Sequence, residues 1–288
     1  MIFIRYSRNG TRRIVDLTDI LDGTGVVLAG GAPSLKEQPL ELLNGRGVVT
    51  MAMNNAALHF RSTMWCGVDR PECYDPQIML DPGIMKFGNI CHAEVQLDQR
   101  YGSKKFYQFP NMLFYIPEDN VPWDEYLAKR RCVPWFHNTL FTSIHILYHL
   151  GVRTIVLAGS DFTVGHNGKM YAHDVRLDNL QVKWNTDLYN SQVAELRRLA
   201  PMFKTAGLTL LDSSVHSRIS QTYKKVSLED GVNACLGQFP RQPVDPKTLP
   251  HCSKFATTTI QERVAKWPGY TLVETSGLTS PILGEQNA

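Results

Sequence analysis

Two glycine-bearing strand ends concentrate the chemistry of this chain. Val26-Val27-Leu28-Ala29 runs into Gly30-Gly31-Ala32-Pro33-Ser34-Leu35, and Val152–Ala158 runs into Gly159-Ser160-Asp161-Phe162. A β-branched apolar run that stops at glycine and small polar residues is how a buried parallel strand meets the loop at its carboxyl end. In open α/β sheets, ligands bind outside those ends. Gly30 and Gly31 carry no Cβ, so a backbone there can approach a ligand closely. Ser34 is placed to cap a helix starting near Leu35, and free N–H groups at such a helix suit a phosphate. A third run, Val48–Met53, ends in Asn54 and Asn55, whose amides both donate and accept and fit a ribose or a base edge. Asn138, Thr139 and Ser160 complete a candidate nucleotide-binding set. The first loop matches neither the dinucleotide nor the P-loop fingerprint, so a plain tight turn is the competing explanation of its glycines.

Acid, base and metal candidates cluster at similar places. Asp69 follows the run Met64–Val68, and Asp161 follows Gly159-Ser160. Two carboxylates at adjacent strand ends could hold Mg²⁺ against a donor pyrophosphate; turn capping is the alternative for each. His166, Tyr171 and His173 lie on a polar stretch, 163–184, long enough to close as a lid. An imidazole is the usual acceptor of a hydroxyl proton near neutral pH, which makes His173 the first candidate base and Asp161 the second. Tyr171 can bind phosphate through its hydroxyl. His145 and His149 lie one helical turn apart and read as packed residues. No Gly-x-Ser-x-Gly elbow occurs, which argues against a serine hydrolase. The six cysteines are scattered with no C-x-x-C pair, as expected of reduced thiols rather than a zinc site or a disulfide framework.

The elements that must position these residues alternate at short spacing. After a short strand and lead-in over residues 1–22, strands are expected at Val26–Ala29, Val48–Met53, Met64–Val68, Val152–Ala158 and Leu208–Leu211. Helices are expected at Leu35–Leu43, from Ala56, at Asn138–Leu150 and at Asp187–Ala206. Short strands are expected at Lys105–Phe109 and Leu113–Ile116, and a last helix at Thr257–Trp267. This is the βαβ pattern of an α/β fold with a mostly parallel, Rossmann-like sheet. The reading divides the chain into a domain over 1–215 and an irregular extension over 216–288 that ends in a mobile tail. Within the domain, 70–135 is an aromatic insertion on the acceptor side. A hydrophobic content of 43% supports a sizeable core, and a net charge of +3 excludes a strongly basic nucleic-acid coat while allowing local patches such as Lys129-Arg130-Arg131 and Lys224-Lys225. Met1–Arg13 carries charge every few residues and lacks an apolar stretch, so a cytoplasmic setting is expected.

Taken in order, Gly30–Leu35, Asn54-Asn55, Asn138-Thr139, Gly159–Phe162 and Tyr171-Ala172 resemble landmarks of the family-42 bacterial sialyltransferases. The same landmarks resemble the archaeal-type 6-hydroxymethylpterin diphosphokinase group, favoured by Trp65-Cys66-Gly67-Val68-Asp69 and by Gly168-Lys169-Met170-Tyr171-Ala172-His173. The resemblance spans residues 24 to 215 and implies a single domain of the glycosyltransferase-A type. Two departures count against sialic acid as the sugar. Those enzymes place a histidine just before the later helix, where this chain reads Gln181-Val182-Lys183-Trp184-Asn185, and they carry a phosphate-binding tyrosine where Thr163 stands.

The reading is a nucleotide-dependent transferase, first a glycosyltransferase moving a sugar from a nucleotide-sugar donor to a hydroxyl acceptor. The acceptor is a glycan or, by likeness to phage members of these groups, hydroxymethylated DNA in a host cytoplasm. The alternatives are a diphosphokinase using ATP and Mg²⁺ on a hydroxymethyl heterocycle, and a non-catalytic module that keeps the nucleotide fold. No bilayer-spanning run is present in the sequence.

Overall fold

A computed structural model describes residues 1–128, 131–135, 138–164, 172 and 179–236. The chain opens with a hairpin, β1 (Ile2–Tyr6) and β2 (Arg12–Asp16), then lays down β3 (Gly25–Ala29), β4 (Val49–Met53) and β5 (Met64–Cys66). Helix α1 (Pro76–Leu80) leads to β6 (Met85–Asn89) and β7 (Met112–Tyr115), and a small side ribbon pairs β8 (Pro117–Glu118) with β9 (Val133–Pro134). Helix α2 (Thr139–His149) precedes β10 (Thr154–Ala158), and α3 (Asn179–Thr205) precedes β11 (Thr209–Asp212). β12 (Lys224–Lys225) and α4 (Leu228–Leu236) follow.

Ten of these strands make one sheet in the order β12-β11-β10-β3-β4-β5-β6-β7-β1-β2. All neighbours from β12 to β7 are parallel, and β1 runs antiparallel to both β7 and β2. The fold is α/β with a mostly parallel Rossmann-like sheet. The chain steps outward from β3 to β7, then returns to place β10 on the other side of β3. That reversal is the switch point at which an open α/β sheet forms its crevice.

The faces follow from strand alternation. Val26, Leu28, Met51, Met53, Ile155 and Leu157 point to one face, under Phe141, Ile144 and Leu147 of α2 and Val193, Leu196 and Phe203 of α3. Val27, Ala29, Ala52, Val156 and Ala158 point to the other, under Leu35, Leu43 and, from α4, Leu228, Val232 and Cys235. The sheet half toward β1 has its own aromatic cluster of Trp65, Tyr74, Tyr101, Phe106, Phe109 and Phe114. Much of the aromatic content of 70–135 is therefore core. That stretch is also no insertion, because it supplies β6 and β7 to the main sheet. Residues 216–236 likewise join the sheet through β12 and cover β3 and β10 with α4.

Several expected elements differ. Leu35–Leu43 is not an α-helix but two 3₁₀ turns, Pro33–Glu37 and Leu40–Asn44. Pro39 lies between them, offers no N–H and disfavours helical backbone at Gln38, so the turn cannot propagate. Asn54–Leu58 is also only a 3₁₀ turn. Lys105 makes an isolated bridge to Gln96, followed by a 3₁₀ turn over Phe106–Gln108 rather than a strand. Helix α3 starts at Asn179, eight residues before the expected Asp187, so its first turns occupy the end of the stretch read as a lid. The helix expected at Thr257–Trp267 and the tail lie outside the described residues.

β6 escaped sequence reading because it carries a buried charge. Lys86 is fully buried and its Nζ donates to the carbonyls of Asp81, Ile84 and Pro110. Burial pushes its ammonium down from 10.5 to about 8, while the Asp81 carboxylate opposes the shift. Lys86→Met keeps the stem and removes the donor, leaving three carbonyls short of a partner, so it should cost about 1–3 kcal/mol in denaturant unfolding near pH 7. The pH dependence has a defined sign. Between the folded value near 8 and the unfolded value near 10.5 the unfolded chain holds the extra proton, so parent stability should rise relative to Lys86→Met across that window.

Candidate active site

The floor of the crevice is an interlock of the β3 and β10 ends. Gly30 N donates to Ala158 O at 2.8 Å and Ala32 N to Gly159 O at 3.0 Å. A Cβ on Gly30 would lie 2.5 Å from Gly159 O and 2.8 Å from Ser160 Oγ. Gly159 adopts φ 56°, and a Cβ there would meet Leu35 Cβ at 2.7 Å and Gly30 O at 2.8 Å. Both glycines are required where two backbones meet. Gly31, half-buried on the next step, keeps its carbonyl on Ala172 N at 2.8 Å.

Ser34 does not cap a helix. It is fully buried and its hydroxyl donates to Asp161 Oδ1, so the first loop is fastened to the end of β10 by a buried charge-assisted bond. The loop after β11, the third loop at this junction, fastens there too. Ser160 N donates to Ser214 Oγ at 2.8 Å, Ser213 donates twice to Leu157 O, and Arg218 N donates to Asp161 O at 3.2 Å. Phe162 is held at φ 56°, which is costly for a non-glycine residue, and its carbonyl accepts from Arg218 Nη1. Asp212, at the end of β11, is buried with Oδ1 accepting from Ser214 N. Burial raises its pKa, and Lys225, with Nζ 3.7 Å from Oδ2, opposes this.

The opposite wall joins β4 to α2. Asn54 takes φ 52°, a conformation asparagine tolerates better than most residues, and its Oδ1 accepts from Thr139 Oγ1 at 3.1 Å. Trp65 Nε1 holds the Asn54 carbonyl at 2.7 Å. Asn138 caps α2, accepting from Leu140 N and Phe141 N. Asn54, Asn138 and Thr139 thus meet at the positive end of α2. Among the described residues Asn54 Nδ2 makes no hydrogen bond, and it remains available at this wall. Asn55 differs: both ends of its amide are used, Oδ1 on Asp75 N and Nδ2 on Cys73 O, so it clamps the neighbouring loop.

The two aspartates expected to share a cation are not neighbours. Strands β3 and β4 lie between β10 and β5, putting the strands that precede Asp161 and Asp69 about 14 Å apart. Asp69 is exposed at the rim. Desolvation raises its carboxyl, His92 opposes this, and its N–H donates to Tyr74 Oη. No cluster of three or more His, Cys, Asp or Glu side chains occurs among the described residues. His166, Tyr171 and His173 lie outside the described residues.

Two contacts unmarked in the sequence join the loops on either side of β10. His216 Nε2 lies 3.2 Å from Glu37 Oε2, and beside it Gln38 Nε2 donates to Ser213 O at 2.6 Å. These bonds strap the loop after β3 to the loop after β11. The signal for them was the same as for the other loops: Leu210-Leu211 runs into Asp212-Ser213-Ser214, an apolar strand ending in small polar residues.

No family model and no curated protein matches the sequence. Among solved structures the chain is similar to the sialyltransferase CstII from Campylobacter jejuni in complex with cytidine-5'-monophosphate, at 16% identity over 70% of this chain and 84% of that chain, TM-score 0.40. It is also similar to the monofunctional α-2,3-sialyltransferase Cst-I from the same organism, at 12% identity over 84% of this chain and 95% of that chain, TM-score 0.42.

The interlock yields a direct test. Gly159→Ala adds a side chain in the left-handed region and against Leu35, and should lower unfolding stability by about 1–3 kcal/mol in a denaturant titration. Gly207→Ala has an equally positive φ, 70°, but no atom within 4 Å, so it should cost less. Equal losses would show that Gly159 serves only its turn.

Proposed function

We propose that the protein is a nucleotide-dependent transferase that moves a sugar from a nucleotide-sugar donor to a hydroxyl acceptor. One observation carries this reading: Gly30, Gly31, Ser34, Asn54, Asn138, Thr139, Ser160 and Asp161 line the switch point of a single parallel sheet. Asn54 and Thr139 hold the nucleoside side of the donor, and the positive end of α2 lies where the leaving phosphate develops charge. Gly31 is the position at which backbone meets donor. Gly30 has a different task, the junction with β10.

The acceptor hydroxyl attacks the anomeric carbon as the bond from that carbon to the nucleotide phosphate breaks. The electron pair leaves on the phosphate oxygen and the hydroxyl proton passes to a base. Asp161 is occupied by Ser34. As an alternative to His173, the dyad of His216 and Glu37 offers an oriented imidazole at the crevice edge. The separation of Asp69 from Asp161 leaves the diphosphokinase reading without its shared metal pair.

A thermal-shift panel of UDP-, CMP-, GDP- and ADP-linked sugars tests the proposal. A donor at 100 times Kd should stabilise the protein by about 2.7 kcal/mol. Gly31→Val should abolish that shift with the fold intact, whereas Gly30→Val, clashing with Gly159 and Ser160, should fail as a folded protein. A parent that responds to none of the four donor classes would overturn the reading in favour of a non-catalytic module. Once the donor is known, His216→Asn should lower transfer by about 10²–10⁴-fold with donor binding unchanged if the dyad is the base. Unchanged transfer would return the role to His173.

A further inference from the structure

Helix α3 is apolar on two sides, although only one packs on the sheet. Over its first turns Val182, Thr186, Tyr189 and Val193 turn inward, half-buried or buried, and Tyr189 meets Phe162 with ring centroids 6.4 Å apart. Leu180, Trp184 and Leu188 lie on the outer side, 74%, 75% and 40% exposed. They recur at i, i+4 and i+8, so one outward stripe runs through all three. Farther along the helix the exposed side carries charge instead, with Arg197, Arg198 and Lys204. The outward apolar surface is therefore confined to one short segment. A helix that is apolar on both sides is normally covered on both, and a contiguous exposed apolar patch marks an interaction site.

Two features of the stripe choose what covers it. The first is its symmetry: Leu180 and Leu188 each stand four residues from Trp184. A two-fold contact sets one surface patch against itself, so a self-complementary patch suits a second copy of the chain. With a dyad crossing α3 at Trp184, Leu180 lies against the partner's Leu188 and the two Trp184 side chains meet. The second is charge. Lys183 and Asp187 lie on one shoulder of the stripe, and among the described residues neither is in an ion pair within its own chain. In the antiparallel pair that shoulder meets its own copy, and the order along it becomes aspartate, lysine, lysine, aspartate. Each Lys183 then lies two residue rises, about 3 Å along the axis, from the partner's Asp187. The charges of the shoulder cancel, so an anionic membrane surface finds no cationic flank there to attract. We infer that α3 pairs two copies of this chain, antiparallel, through Leu180, Trp184 and Leu188. Three side chains per copy make a contact smaller than the roughly 800 Å² per partner of a standard interface, so the dimer is transient and forms in the micromolar range. The stripe lies on the side of α3 turned away from the sheet, and the pairing does not depend on which donor the crevice takes.

The test is sedimentation velocity of the full chain over a roughly hundredfold range of concentration through the micromolar region, where a monomer–dimer equilibrium should appear. Trp184→Ser should raise the dimer Kd by about tenfold or more. Because Trp184 is three-quarters exposed, the unfolding midpoint of the dilute monomer should not move. Lys183→Glu makes the shoulder wholly acidic and should also favour the monomer, and adding Asp187→Lys to it should bring the dimer back. A parent that stays monomeric throughout would overturn the inference. So would a dimer that Trp184→Ser and Lys183→Glu both leave intact, or a parent whose tryptophan serves instead to bind anionic phospholipid vesicles as a monomer. The donor panel reads the crevice independently, so failure of one experiment leaves the other standing.

Discussion

Everything at the crevice depends on two backbones meeting without room for a Cβ. Gly30 and Gly159 approach so closely that a methyl group on either would strike the other's carbonyl. This contact sets the height at which the first loop leaves β3, and with it the reach of Ser34 to Asp161. The third loop builds on the same junction, through Ser214 on Ser160 and Arg218 on Asp161. Burial makes these polar bonds matter: an unpaired Asp161 or Ser34 at this depth would be costly, so the three loops hold one another in a single arrangement.

How much of this was legible in the sequence depended on how local its cause was. The strand ends at Ala29, Met53 and Ala158 could be read because β-branched runs stop abruptly at Gly, Asn or Ser. Helix α2 could be read because its apolar residues recur with helical spacing behind an asparagine cap. The turns after Gly31 could not be read as they are: a helical pattern over Leu35–Leu43 is visible, but Pro39 overrides it. β6 was hidden by Lys86, whose buried charge is satisfied by the main-chain carbonyls of Asp81, Ile84 and Pro110. Asn54 and Asn55 are chemically identical neighbours, and only the fold separates the residue that meets Thr139 from the one that ties down residues 73–75.

The candidate site followed the same division. Residue types picked out Gly30, Asn54, Thr139 and Ser160 at element ends that the fold brings to one crevice, because loop chemistry at strand ends is written locally. The pairing of Asp69 with Asp161 failed because strand order is a long-range property, and two strands intervene. The contact between His216 and Glu37 spans 179 residues and has no sequence signature beyond the polar end of β11. Here topology decided which charged groups could cooperate, and side-chain identity decided what each could do.

The antiparallel entry of β1 has a consequence for how the chain reaches this state. The first strand made is completed only by β7, with Ile4 opposite Phe114, and the central strand β3 gains its second neighbour only when β10 arrives near residue 154. A growing polypeptide therefore carries its opening hairpin unpartnered while nearly a hundred residues are added, from Asp16 to β7 at Met112–Tyr115. Long-range pairing of this kind makes folding slow and leaves strand edges open. Arg12 and Arg13 on the outer strand keep that early hairpin soluble through the wait, so the charges of the finished edge also serve the unfinished chain.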